Sequence, residues 1–322
     1  MPTKALGACA LALLVPILAA CGESSGRGGD DASVRVVATT TQLGDLARAV
    51  GGERAAVKQI LPRNADPHGY EPRPSDIRAL EGADVVLRSG GDLDEFLSDL
   101  IESAGATGDT VNILSSVRTL SREHEEEHDR RSEGSTEKDP HWWQDPRNAE
   151  TAVKAIRDAL AEADPDGRAM YVRTTEAYLA KVRRLDMAVA RCIGKLPRSA
   201  RKLVTTHDAL GYYADRYGLE VIGAVIPSLS TRAQPSSKDI TKLVDLIRDE
   251  KVKAIFPESS INPKLERAIS RESGATVGGA LWADTLGPEG SGGETYLDSI
   301  ASNTEAIVEG LSGGRMSCTP RA

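Results

Sequence analysis

The sequence predicts an α/β protein of two lobes, each a mostly parallel sheet flanked by helices, joined by one long rigid linking helix. Three observations carry this. Short β-branched runs alternate with amphipathic helical patterns after residue 33, the same rhythm returns after residue 200, and an uninterrupted apolar stripe separates the two stretches. Strands separated by helical patterns favour a parallel sheet with both faces covered.

The strands of the first stretch are Val34 to Thr40, Asp84 to Ser89 and Thr110 to Leu114, with helices from Gln42 to Val50 and through Phe96 to Ser103. The stripe comes next: Tyr171, Tyr178, Val182, Leu185, Val189 and Cys192 recur at helical spacing. Asp164 and Pro165 open that helix, and Gly194 with Pro197 closes it. At 1.5 Å per residue it is about 40 Å long, enough to run across two lobes and to restrict wide hinge motion. Beyond it, Lys202 to Thr206, Glu220 to Ile226, Val252 to Pro257 and Ala275 to Val277 read as strands. The expected division is 33–165 for the N-terminal lobe, 166–194 for the linking helix and 195–322 for the C-terminal lobe.

The chain begins differently. Lys4 precedes an apolar run from Ala5 to Ala20, too short for a bilayer span and suited to a secretory signal. The run ends in Leu18-Ala19-Ala20-Cys21, which resembles a bacterial lipobox, with Cys21 lipidated as the mature N-terminus. Residues 1–20 are then a lipoprotein signal peptide, and 21–32 an anchor and flexible tether. This places the protein outside the cytoplasm, held to a membrane by its lipid. Cys9 leaves with the signal, so Cys192 and Cys318 remain as a candidate disulfide in an oxidising compartment. Two unpaired thiols are the alternative.

Among 322 residues the formal charge is −8, and no Lys/Arg cluster suggests a nucleic-acid partner. Residues 121–139 are dense in charge and contain no large apolar side chain, so they predict a mobile, solvated acidic loop.

Five histidines carry the chemical signal: His68, His124, His128, His141 and His207. His68 and His141 each follow Asp-Pro, whose proline stiffens the loop and presets the imidazole. His207 follows a predicted strand at its carboxyl end, where open α/β sheets place ligands. Neutral imidazole is the commonest side-chain zinc ligand.

Four motifs now resemble those of one family, the cluster 9 metal-binding lipoproteins of ABC transporters. They are Asp66 to Asp76, Asp139 to Pro146, His207 to Leu219 and Leu281 to Tyr296, and the likeness spans nearly the whole mature chain. The resemblance implies a ligand set of His68 and His141 from the first lobe with His207 and Asp284 from the second, around an ion in the cleft. Three imidazoles and one carboxylate complete a four-coordinate site. Family members that favour manganese often carry a carboxylate at the third position, so His207 implies Zn²⁺ as cargo, with Mn²⁺ the alternative. The implied function is capture of that ion for an ABC importer's permease by a monomeric receptor. Glu71, Asp145, Asp208 and Glu258 stand near ligands or strand ends as candidates to hold the imidazoles. Trp142, Trp143 and Trp282 are expected to edge the cleft.

A different class of function competes. His124, Glu125 and His128 match the zinc-peptidase pattern His-Glu-x-x-His, but that motif needs a helix with a buried face. The flanks here are uniformly charged, and a catalytic zinc keeps a coordination position open whereas four protein ligands leave none. The expectation is therefore a receptor and not an enzyme. The family often carries a His- and acid-rich loop at this point, which makes His124 and His128 candidates for an auxiliary metal-collecting loop.

Overall fold

Val34–Ala38, the strand β1, lies at the centre of the first sheet in the computed structural model, which describes Met1 and residues 34–105, 108–122 and 137–322. The helix α1 (Thr41–Gly51) follows, begun by the Thr40 hydroxyl accepting from the Leu43 N–H. Next come β2 (Ala55–Gln59), α2 (Pro74–Glu81), β3 (Val85–Arg88), α3 (Phe96–Ala104) and β4 (Asp109–Asn112). All strand pairs here are parallel, in the order β2-β1-β3-β4. Val34, Val36, Val85 and Leu87 face one cluster with Leu43, Leu46 and Val50 of α1, while Val37 and Val86 face Leu80 and Leu97 opposite. This two-sided burial explains why β1 and β3 read as near-continuous apolar runs.

Two short strands, β5 (Ser121–Arg122) and β6 (Glu137–Lys138), pair antiparallel and draw together the ends of the acidic loop. The helix α4 (Pro146–Ala163) was not foreseen. It buries Ala149, Ala152, Val153, Ile156 and Leu160 on one face. It packs against α5 (Arg168–Gly194), the predicted linking helix, which begins after a 3-10 turn at Pro165–Gly167.

The second half contains β7 (Lys202–His207), α6 (Gly211–Tyr217), β8 (Glu220–Ile226), α7 (Ser237–Asp249), β9 (Ala254–Ile255), α8 (Lys264–Ser273), β10 (Thr276–Val277) and α9 (Tyr296–Ser312). β7 pairs with β8, β9 pairs with β10, and a parallel bridge from Thr205 to Phe256 joins the two pairs. The resulting order, β8-β7-β9-β10, repeats the topology of the first sheet. In both halves the chain switches direction beside the first strand, and ligand crevices form at such switch points.

Both ends of α5 are tied. At its start, Asp164 accepts from Arg54 (2.7 and 2.8 Å) and from the Tyr171 hydroxyl (2.8 Å), and the Arg54 guanidinium holds the Asp164 carboxyl down at about 2. At its end, Cys192 and Cys318 are joined as a disulfide, 126 residues apart in sequence. Between these ties α5 packs on α1 and α4 of the first half and on α6 and α9 of the second. Replacing Cys318 by serine is expected to cost about 2–5 kcal/mol, because a cross-link over so long a loop constrains the unfolded chain strongly. Denaturant unfolding of the wild type and the variant measures this, and equal midpoints would show that the bridge contributes nothing.

Residues 2–33, 106–107 and 123–136 lie outside the described residues. The signal peptide, Cys21, the tether, and His124, Glu125 and His128 fall there. Among the described residues no helix is long and apolar enough to cross a membrane.

Candidate metal centre

The loop between β2 and α2 carries His68. Asp66 accepts the His68 backbone N–H through Oδ1 at 3.0 Å, a local turn that Pro67 stiffens. The second Asp-Pro-His is built in the same way. Asp139 Oδ1 accepts the His141 N–H at 2.9 Å and also holds the ring Nδ1 at 2.7 Å. Asp139 is itself fixed, since its N–H donates to Leu120 O and the Tyr212 hydroxyl donates to its carbonyl. His207 is the last residue of β7, one residue earlier in relation to the strand end than expected. Its Nδ1 lies 3.0 Å from Glu258 Oε2, and the Ser260 hydroxyl donates to Glu258 Oε1 at 2.8 Å.

Asp284 enters from the stretch before α9. The carbonyl of Ala283 accepts from Trp143 Nε1 (2.9 Å) and Gln144 Nε2 (2.7 Å), so the residues after His141 grip the backbone before Asp284. On the other side, Asn303 of α9 makes a two-point bond to the Trp282 backbone.

The four side chains meet. His68 Nε2 is 3.2 Å from Asp284 Oδ2, His207 Nε2 is 3.1 Å from the same oxygen, and His141 Nε2 is 3.4 Å from Asp284 Oδ1. The Nε2 atoms of His141 and His207 are 3.3 Å apart. One donor atom from each of the four residues lies within 4.8 Å of all the others, and all four residues are buried. His68 Nε2 and both Asp284 oxygens are shut off from solvent without a hydrogen bond of proper geometry. Buried polar atoms left in this state are costly unless something else satisfies them. A tetrahedron of donors at about 2.0–2.1 Å from zinc has edges of about 3.3 Å, close to the separations found here.

The electrostatics agree with a cation site. Burial pushes the Asp284 carboxyl up, but the imidazoles of His207 and His141 outweigh it and hold the group well below the usual carboxylate range. Burial pulls His207 down, yet Asp284 and Glu258 raise it well above the ordinary imidazole value. His141 is raised in the same way by Asp284 and Asp139, against burial. Glu258 is raised, chiefly by burial and then by the charge of Asp284.

The other sequence-predicted residues fall differently. Glu71 is exposed on its loop, because the turn after His68 carries it to the surface. Asp145 is buried but works as the cap of α4, accepting the Arg147 N–H and pairing with its guanidinium. Asp208 is half-buried, and its N–H donates to Ser228 O. Trp142 and Trp143 do not edge a cleft. They are buried, with the Trp142 indole N–H donating to Ser89 Oγ and the Trp143 ring 5.5 Å from that of His141. Trp282 is half-buried between Gly287 and Gly293, where any Cβ would overlap the indole. Asp139 and Asp66 were missed as supports, although the Asp two places before each histidine was the available signal. Changing Glu258 to glutamine is expected to weaken metal binding about tenfold, by loosening His207. Competition against a chromophoric chelator reads this, and unchanged affinity would remove Glu258 from the site.

Two parallel α/β sheets beside a long helix, with three imidazoles and a carboxylate converging in a buried site, define a metal-binding receptor. The chain belongs to the family described as zinc-uptake complex component A, periplasmic, whose profile matches residues 36–310. Its members are solute-binding receptors of ABC transporters that bind metal ions and work with a permease, not enzymes, so the peptidase reading has no support. The manganese-binding lipoprotein MntA of Halalkalibacterium halodurans is 34% identical over 92% of this chain and 95% of that protein. The iron-binding protein YfeA of Yersinia pestis is 30% identical over 86% of each. Among solved structures, the periplasmic zinc binding protein TroA of Treponema pallidum superposes with a TM-score of 0.76. It is 28% identical, covering 86% of this chain and 99% of TroA.

Proposed function

We propose that this protein captures Zn²⁺ with His68, His141, His207 and Asp284 and hands it to an ABC importer outside the cytoplasm. The observation that carries the reading is the meeting of four buried donors at separations suited to a tetrahedral ion. The donors divide evenly, two before α5 and two after it, which fits a lobe boundary at 33–165 and 195–322 with 166–194 between. In this reading the receptor is a monomer anchored through lipid on Cys21, and His124 and His128 belong to an auxiliary loop.

Manganese is the second reading, and two observations favour it. Both Asp284 oxygens turn toward the histidines, so a bidentate carboxylate would give a fifth donor for an ion that prefers higher coordination. MntA of H. halodurans, named for manganese, is also the 34% identical relative. Competition titration of the metal-stripped protein with Zn²⁺ and Mn²⁺ decides between them. One tight zinc equivalent, lost in a His68→Ala variant, supports the zinc receptor. Tight manganese with weak zinc keeps the site and changes the cargo. No tight metal at all would overturn both.

A further inference from the structure

His68 is the most exposed of the four donors, at 6% against 0–2% for the others. Its loop contains neither helix nor strand from Leu61 to Arg73, and Asn64 adopts a left-handed φ of 56°. Although this loop precedes α5 in sequence, it is fastened to the second half of the chain. Arg63 Nη1 donates to the carbonyls of Gly287 (2.8 Å) and Glu294 (2.5 Å), and the Asn64 N–H donates to Leu286 O (3.0 Å). Those bonds reach the segment that carries Asp284.

One bond reaches elsewhere. The Thr231 hydroxyl donates to Asp66 Oδ2 at 2.7 Å, while Asp66 Oδ1 accepts the His68 N–H. A single carboxylate thus spans the backbone of a metal donor and the loop after β8. That loop is tied in turn to the residue after His207, through the Asp208 N–H on Ser228 O at 3.0 Å. The pairing at His141 is built differently. Asp139 uses one oxygen for both the backbone and the ring of its own histidine, whereas Asp66 turns its second oxygen across to the opposite half.

We infer that Asp66 and Thr231 form a latch over His68 that sets how fast the metal leaves. The inference rests on the reading of His68 as a donor. With the latch closed, the Asp66 carboxylate cannot rotate and the His68 backbone keeps its register toward Asp284. With it open, the most exposed donor can swing out on a loop that lacks regular structure, which is the path of least rearrangement for release. Thr231 is a positioning residue that acts through Asp66.

The test is stopped-flow capture of Zn²⁺ by a fluorescent chelator from the full-length chain in detergent, repeated with Mn²⁺. Thr231→Val keeps the shape and removes the hydroxyl. It is expected to speed dissociation about fivefold, the loss of one ordinary hydrogen bond, with the association rate unchanged. Thr231→Ser, which restores the hydroxyl, is expected to return the slow rate. An off-rate for Thr231→Val within about twofold of wild type overturns the latch, and so does a serine variant as fast as the valine one. His68→Ala separates this from the larger reading. If that variant keeps wild-type affinity, the donor assignment falls and the latch with it. If it loses affinity while Thr231→Val releases metal at the wild-type rate, only the latch falls.

Discussion

Replacing Asp284 by alanine is expected to weaken zinc binding by about a hundredfold to several hundredfold. A structural zinc site is worth about 10–16 kcal/mol, so one of four donors accounts for about 2.5–4 kcal/mol, and each 1.4 kcal/mol is a factor of ten. Asp284 sits at the hub, with its two oxygens 3.1–3.4 Å from all three imidazoles. It is also the only carboxylate among the four donors, so its loss leaves a divalent charge in a buried site with neutral ligands. Isothermal titration against a competing chelator measures the change. A loss smaller than about tenfold would mean that Asp284 is not a ligand.

Acidification is expected to weaken binding by about a hundredfold or more between pH 7.5 and 5.5. Imidazole binds metal only when deprotonated, and each proton displaced gives about a tenfold change in apparent affinity per pH unit below its pKa. Against the pull of burial, Asp284 and Glu258 raise His207 and Asp284 and Asp139 raise His141, so an incoming ion has protons to displace at both rings. Stability of the metal-free fold moves the other way. The protonated His207 contributes fully below the unfolded imidazole value of about 6.5 and is lost as pH rises through its elevated folded value. Asp284, held low, contributes above about 3.8 and is lost as pH falls through its depressed value. Metal-free protein should therefore be most stable in mild acid, and the gain in melting temperature on adding zinc should widen as pH rises. An affinity that stays flat over those two pH units would rule out histidine donors.

The strands that face two cores were the legible ones. β8 was read at Glu220–Ile226 to the residue, and α5 began two residues later than its predicted start because Pro165–Gly167 form a separate 3-10 turn. β2 escaped because no residue of Ala55–Gln59 is buried, so it carries no apolar run to detect. α2 escaped for a related reason: only Asp76 and Leu80 of its eight residues are buried. α4 did leave a signal, in Asp145 followed by Pro146 and an apolar face of period three and four. The same Asp145 was instead assigned to the metal site, where helix capping has the stronger claim on it. Glu258 was found because strand ends converge at the switch point. Asp66 and Asp139 were overlooked because their bonds to the histidines run over two residues, a range at which side chains rarely draw notice. The meeting of His68, His141, His207 and Asp284 was foreshadowed only by matched motifs; nothing in their spacing alone would have shown that one carboxylate sits among three rings.

The double fastening of α5 has a consequence for how a transporter tells a full receptor from an empty one. A strut about 40 Å long, packed on helices of both halves and pinned at Asp164 and Cys192, leaves little room for whole-domain rotation. Occupancy must then be written in the outline of a few surface loops, with displacements of ångströms and not tens of ångströms. A docking partner that reads such a small mark has to match the receptor's surface closely. Its discrimination between loaded and empty copies is bounded by the free energy those loops gain when the ion is in place.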